Sequence, residues 1–218
     1  MNLLLIGAPG TGKGTMSGLL EQDKGLVHIS TGDILRQSIK EGSEVGQRAQ
    51  AYIEKGQLVP DEIIHDIIVE RLRKDDIHQK GFLMDGYPRN PMQAEDFDNI
   101  LKELGKHIDL VIYLNLDEEE LKSRITGRRI CKDCGEIYHI DKHPSKVEGV
   151  CDKCGGELYA RKDDTLESLK VRLAEYNDVT MPTIEYYRKQ GLVREIDASK
   201  TKDEVYQNIL SLLGAIND

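Results

Sequence analysis

Gly7-Ala8-Pro9-Gly10-Thr11-Gly12-Lys13-Gly14-Thr15 is the stretch on which the reading of this chain turns. It follows an apolar run over residues 2–6 and leads into a segment from Thr15 to Glu21 that carries Leu19 and Leu20. An unbroken apolar run ended by glycine predicts a strand buried on both faces. The periodic segment after it predicts a helix, so the nine residues join a strand to a helix. Glycines let a backbone curl around an anion while its N–H groups and the helix start converge there. Lys13 then supplies a cation for the outer oxygens of a bound phosphate chain. The general pattern places Ser or Thr directly after the lysine; here Gly14 intervenes and Thr15 follows. An ordinary glycine-rich turn would not need strand, lysine and helix together.

Outward from this loop, strand and helix signals alternate. Residues 26–29 form a second apolar run, and Ser30-Thr31-Gly32-Asp33 brings helix-capping chemistry before Ile34 and Leu35. Val45, Ala49, Tyr52 and Ile53 recur at helical spacing, with Gly56 placed to end that helix. Pro60-Asp61-Glu62 opens another helix with an apolar face at Ile63, Ile64, Ile67, Ile68 and Leu72. Residues 82–84 predict a third strand ending in Asp85-Gly86, residues 91–104 a helix stopped by Gly105, and residues 110–116 a fourth strand. A helix over 117–126 has its acids at the favourable N-terminal end. Residues 128–161 break the order with all four cysteines and little helical period. Helix resumes over 164–180, interrupted at Pro182; a fifth strand over 192–196 and a helix over 203–213 close the chain. Such alternation predicts an α/β fold, a five-stranded parallel sheet covered on both faces, with the cysteine-rich block inserted.

Composition narrows the classes. At 218 residues, 39% hydrophobic and 32% charged, the chain suits one substantial core and one small satellite lobe. Its apolar runs are strand-length, well short of the roughly 18 residues of a membrane span. With no basic stretch before the first run, no cleaved signal is expected, and the expected compartment is the cytoplasm. A net charge of −9, from 30 Lys+Arg against 39 Asp+Glu, argues against nucleic-acid binding.

Cys131-Lys132-Asp133-Cys134 and Cys151-Asp152-Lys153-Cys154 are two Cys-x₂-Cys knuckles separated by 16 residues, each followed by glycine. That is the spacing of a four-thiolate site, and a reducing compartment favours metal over disulfides. Four thiolates fill a tetrahedron and leave no place for water, so a structural Zn²⁺ is expected at Cys131, Cys134, Cys151 and Cys154, with iron and disulfides as alternatives. Residues 136–139 and 157–159 predict short strands around it, and His139 and His143 are expected to be lid residues, not ligands.

The remaining motifs narrow the chemistry. Ser30-Thr31-Gly32-Asp33-Ile34-Leu35-Arg36, Gly56-Gln57-Leu58-Val59-Pro60-Asp61, Asp85-Gly86-Tyr87-Pro88-Arg89-Asn90 with Gln93, Thr126-Gly127-Arg128-Arg129 and Arg161-Lys162-Asp163-Asp164 follow the phosphate loop in fixed order. Together they resemble the adenylate kinase family, over essentially the whole chain, in its form with a long zinc-containing lid. Met16, Tyr87 and Asn90 stand where the family usually has Gln, Phe and Thr, and Pro60 where some members have Thr; none removes a phosphate ligand.

The resemblance implies a P-loop NTPase-like sheet with a small β lid and three parts: a core of residues 1–29, 61–127 and 162–218, a monophosphate-binding part of 30–60, and a lid of 128–161. It implies Mg²⁺-dependent transfer from ATP to AMP, giving ADP. ATP falls to Gly10, Thr11, Gly12, Lys13, Gly14, Thr15, Arg124, Arg128, Ile137, Tyr138 and Ser199. AMP falls to Thr31, Arg36, Gln57, Leu58, Val59, Gly86, Tyr87, Pro88, Arg89, Gln93, Arg161 and Arg172, with Gln93 reading the adenine. The expected catalytic set is Lys13, Arg89, Arg128, Arg161 and Arg172. The acceptor oxygen, with a second pKa of about 6, needs no general base; the demand is charge neutralisation, which arginine's permanent planar fork meets. Asp85 is expected to organise Mg²⁺, and Asp33 reads equally as its helper or as a helix cap. A monomer is the default. The nearest alternative is a UMP- or CMP-directed kinase on the same scaffold; a nucleic-acid-binding ribbon and an ATP-driven switch lie further off.

Overall fold

The computed structural model describes residues 1–217 apart from Gly56 and Leu58. The first half of the chain runs β1 (Asn2–Gly7), α1 (Lys13–Lys24), β2 (Val27–Ser30), α2 (Thr31–Glu41), α3 (Glu44–Glu54), α4 (Asp61–Leu72), α5 (Asp75–Lys80), β3 (Phe82–Asp85) and α6 (Pro91–Glu103). The second half runs β4 (Leu110–Asn115), α7 (Glu118–Thr126), β5 (Arg128–Cys131), β6 (Ile137–His139), β7 (Leu158–Tyr159), α8 (Leu166–Glu175), α9 (Met181–Lys189), β8 (Val193–Asp197) and α10 (Lys202–Asn217).

Every residue of β1 is buried, and the pleat divides them. Leu4 and Ile6 enter a core with Ile29, Ile68, Phe97 and Tyr187. Leu3 and Leu5 enter another with Leu20, Ile112 and Ile209. A strand apolar on both faces is stable only inside a sheet covered twice, and each fully buried Leu or Ile contributes about 1.5–3 kcal/mol. The sheet order is β2-β3-β1-β4-β8, all parallel, as predicted. Leu5 pairs with Asp85 and Gly7 with Leu114, so the loops after β1, β3 and β4 open at one edge. There the connection leaves β1 on both sides, the place where open α/β sheets hold ligands.

The cysteine block forms a separate antiparallel sheet, order β6-β5-β7. Its central strand β5 and the short α5 lack a sequence signal long enough to predict them. The expected stop at Pro182 is corrected. A π-turn over Tyr176–Thr180 links α8 to α9, with the N–H of Met181 reaching the carbonyl of Tyr176, and Pro182 sits in the first turn of α9. Proline lacks a donor and its ring crowds the carbonyl one turn back; the wider turn eases both, and the helix continues. Gly56, expected to end α3, lies outside the described residues; α3 ends at Glu54, with Lys55 as its C-cap. No helix among the described residues is long and apolar enough to cross a membrane.

Candidate active site

In the loop after β1, Gly10 and Gly12 both have φ of 94°, a conformation that side chains with Cβ rarely adopt. Thr11 is buried and its hydroxyl donates to the Ala8 carbonyl at 2.9 Å, tying the loop to itself. Lys13 Nζ donates to the carbonyls of Gly7 (2.8 Å) and Ala8 (3.1 Å). Helices α2, α3, α6 and α8 are capped by the side chains of Ser30, Ser43, Asn90 and Thr165. Helix α1 instead has Gly12 as its N-cap residue, with no side-chain cap and no acid in its first turn, so its first N–H groups suit an anion. Burial lowers the Lys13 pKa to about 8; Asp85 opposes the shift, while Arg89, Arg172 and Arg128 add to it.

Beside the loop, Thr31, Arg36, Gln57, Val59, Gly86, Tyr87, Arg89, Gln93 and Arg172 line one cleft. The Thr31 hydroxyl (2.9 Å) and Arg89 Nε (2.7 Å) both donate to the Gly86 carbonyl. Pro88 is buried, follows a cis peptide after Tyr87, and leads into α6. Leu58, expected in this wall, lies outside the described residues. Gln93 is buried with its amide engaged at both ends: Oε1 accepts from the Arg89 N–H at 2.7 Å, and Nε2 donates to Asp61 Oδ1 at 2.5 Å.

The arginines crowd one another. Burial, then the charges of Arg36 and Arg128, lower the Arg161 pKa to about 10. Burial lowers Arg172 to about 10 as well, with Asp163 opposing and Arg128 and Arg89 reinforcing. Both stay charged at neutral pH. Mutual repulsion among buried cations costs free energy, and an anion would relieve it. Carboxylates hold the array in place. Asp164, almost fully buried, takes both Nε and a terminal nitrogen of Arg128, and Asp163 takes Arg172 at 3.2 Å. Both acids lie in the Arg161–Asp164 motif, where the sequence alone assigns them no task. Their signal is an acid pair adjoining an arginine just outside the lid, easily read as solvated charge.

Asp33 belongs to the same array. Its carboxylate accepts from Arg36 at 2.5 Å and lies 3.5 Å from Arg161, while the cap of α2 is Ser30, whose hydroxyl accepts from the Asp33 N–H. Burial works against its ionisation, but Arg36 and Arg161 hold it below the usual carboxylate range. Asp85, ending β3, leaves its carboxylate 3.9 Å from His28 Nε2. At the end of β8, Arg124 donates to the Ala198 carbonyl at 2.8 Å, next to Ser199. Ile137 overhangs the phosphate loop, its Cδ1 nearest the space beside Gly14. Tyr138, one residue on, faces the other way: its hydroxyl meets Cys151 Sγ (3.5 Å) and the Asp152 N–H (2.9 Å), and its ring stacks on His143. Only its backbone is left for a nucleotide.

In the lid, Cys131, Cys134, Cys151 and Cys154 carry free thiols whose sulfurs all lie within 4.8 Å of one another. The two knuckles repeat one hydrogen-bond pattern. The N–H groups of Gly135 and Gly155 reach the carbonyls of Cys131 and Cys151, and those cysteines' N–H groups reach the carbonyls of Glu136 and Gly156. The quartet can hold a metal ion, and neither histidine belongs to it.

A glycine-rich loop feeding an uncapped helix, a second cleft of nucleotide-binding character and an arginine array joining them define a nucleotide-dependent phosphotransferase of the P-loop class. A family model described as "Adenylate kinase" matches residues 5–192. The chain is 48% identical over 214 residues to the adenylate kinase of Thermoanaerobacter sp. (strain X514), covering 98% of each. It is 49% identical to that of Geobacillus sp. (strain WCH70), over 99% of this chain and all of the relative. The adenylate kinase of Archaeoglobus fulgidus is 46% identical over 99% of each. The chain belongs to the adenylate kinase family and is an enzyme of that kind.

Proposed function

We propose that the chain transfers a phosphoryl group reversibly from ATP to AMP, giving two ADP, and that buried cations drive the reaction without a general base. The supporting observation is that Arg89 and Arg172 both line the acceptor cleft and add to the positive charge felt by Lys13. Two nucleotides would therefore meet over one cation set.

ATP's phosphates occupy Gly10–Thr15, with the N–H groups of the loop around them and Lys13 on the outer oxygens. Arg124, Ser199, Ile137 and the backbone of Tyr138 take its nucleoside end. AMP's phosphate lies on Thr31, Arg36 and Arg89, with its base against Gln57, Val59, Tyr87 and Gln93. Gly86 and Pro88 shape the wall. Arg128, Arg161 and Arg172 neutralise the transferring group, whose loose transition state spreads charge over its equatorial oxygens. Mg²⁺ requires oxygen ligands, and Asp85 meets that need at a strand end beside the loop; Asp33 is taken up by Arg36 and Arg161. Bound with ATP and organised by Asp85, Mg²⁺ would supply positive charge that offsets that of the phosphates.

For the lid metal we propose Zn²⁺. A tetrahedral thiolate site has sulfurs about 3.8 Å apart, given Zn–S bonds of about 2.3 Å. The Cys131–Cys154 and Cys134–Cys151 sulfur pairs, at 3.4 and 3.6 Å, fit that scale. Residues 128–161 act as a lid, 30–60 as the AMP lobe and the remainder as the core, in a cytoplasmic monomer. The test is ADP formation from MgATP with AMP, UMP, CMP or GMP offered separately, beside a control without acceptor. Turnover with AMP far above the others is the expected result. Turnover with another acceptor would overturn the specificity, and ATP loss without any acceptor would overturn the kinase reading.

A further inference from the structure

Asp61 does not line the acceptor cleft, yet it holds a buried side chain there, Gln93, whose polarity can tell purines apart. Its carboxylate bridges two helix starts. Oδ1 accepts from Gln93 Nε2 at 2.5 Å and Oδ2 from Asn90 Nδ2 at 3.1 Å. Asn90 is itself fixed, because its Oδ1 accepts from the Gln93 N–H at 2.7 Å as the cap of α6. On the far side, Gln93 Oε1 accepts from the Arg89 N–H at 2.7 Å. A carboxylate only accepts and a peptide N–H only donates. The Gln93 amide therefore has one allowed orientation. Reversing it would set Oε1 against the Asp61 oxygen and the NH₂ group against the Arg89 N–H.

That orientation leaves one N–H of Nε2 and one lone pair of Oε1 for the cleft. Adenine presents an acceptor at N1 and a donor at N6, which complements this edge. A 6-oxopurine presents a donor at N1 and an acceptor at O6, which opposes it at both atoms. A freely turning amide would serve both bases equally well. We propose that Asp61, seconded by Asn90, is a specificity-determining positioning residue: it locks the Gln93 amide so that 6-aminopurine monophosphates are accepted and 6-oxopurine ones refused. The inference rests on the reading of this cleft as the AMP site. Discrimination built on such opposed polar groups reaches several orders of magnitude where both atoms are buried.

The test compares kcat/KM for AMP and IMP, which differ at the purine edge alone, in the parent enzyme and in Asp61→Asn and Gln93→Ala, each checked for an unchanged fold by thermal melting. An asparagine at 61 can offer Gln93 either a donor or an acceptor and so removes one of the two constraints on the amide, leaving the Arg89 N–H alone to oppose its turning. The AMP:IMP ratio is expected to fall by at least about tenfold in Asp61→Asn, with part of the change a gain in IMP turnover, and to fall in Gln93→Ala too. A merely structural role would lower both acceptors alike and leave the ratio unmoved; with Gln93→Ala still lowering it, that result overturns the role of Asp61. An unmoved ratio in Gln93→Ala would instead overturn the placement of the base, and the inference with it.

Discussion

Lys13 shows how one residue's surroundings set its behaviour. Loss of solvation and three neighbouring arginines bring its pKa to about 8. Bound phosphates would raise it again, because they favour the charged form. Binding ATP should therefore take up a proton above pH 8, and affinity should fall as pH rises through that value. Calorimetry in two buffers of different ionisation heat should find little uptake at pH 7 and clear uptake at pH 9; equal uptake at both would place the lysine's pKa elsewhere. For the unliganded protein the sign is opposite. The unfolded chain binds the extra proton between pH 8 and the ordinary lysine value, so this group's contribution to stability rises with pH there. The lysine itself was legible in the sequence. Its low pKa was not, since Arg89, Arg128 and Arg172 lie far along the chain.

At the scale of elements, α2 and α3 form the wall that carries Thr31 and Arg36, and their approach depends on Gly46. A Cβ at that position would fall onto the backbone at Ser38 and Ile39. Gly46→Val should destabilise the protein by about 1–3 kcal/mol, read as a lower urea midpoint at unchanged slope. An unchanged midpoint would mean that the two helices do not meet this closely. Capping chemistry located α2 in the sequence and periodicity located α3; in the structure Ser30 and Ser43 cap them. The glycine's reason is invisible locally, because it lies in the facing helix. Pro182 teaches the same lesson from the other side. A proline reads as a stop until neighbouring turns widen to admit it.

At the scale of the whole molecule, the lid is a small sheet with a buried cluster of Cys131, Tyr138 and Cys151, against two extended cores in the body. So little apolar surface holds a lobe of this size weakly, and the proposed metal would supply the missing free energy. Stripping the metal with a strong chelator should lower the melting temperature and speed amide exchange at Ile130 and Cys131. Amides of Leu4 and Val111 in the parallel sheet should keep their protection. Unchanged exchange in the lid after verified metal loss would rule out a stabilising metal.

The phosphate loop, the alternation of strands and helices and the four-cysteine spacing were determined by sequence alone, because each depends on residues near one another in the chain, whereas the arginines, spread from Arg36 to Arg172, were singled out only through the family resemblance. Strand order, the pairing of Asp163 and Asp164 with Arg172 and Arg128, the engagement of Asp33 by two arginines, and the clamp of Asp61 on Gln93 were decided by tertiary structure. Those contacts join residues as much as 128 positions apart, and no local pattern records which acid will face which base. Burial then strengthens the pairs made by Asp163 and Asp164, since a carboxylate shielded from water holds its partner far more firmly than one at the surface.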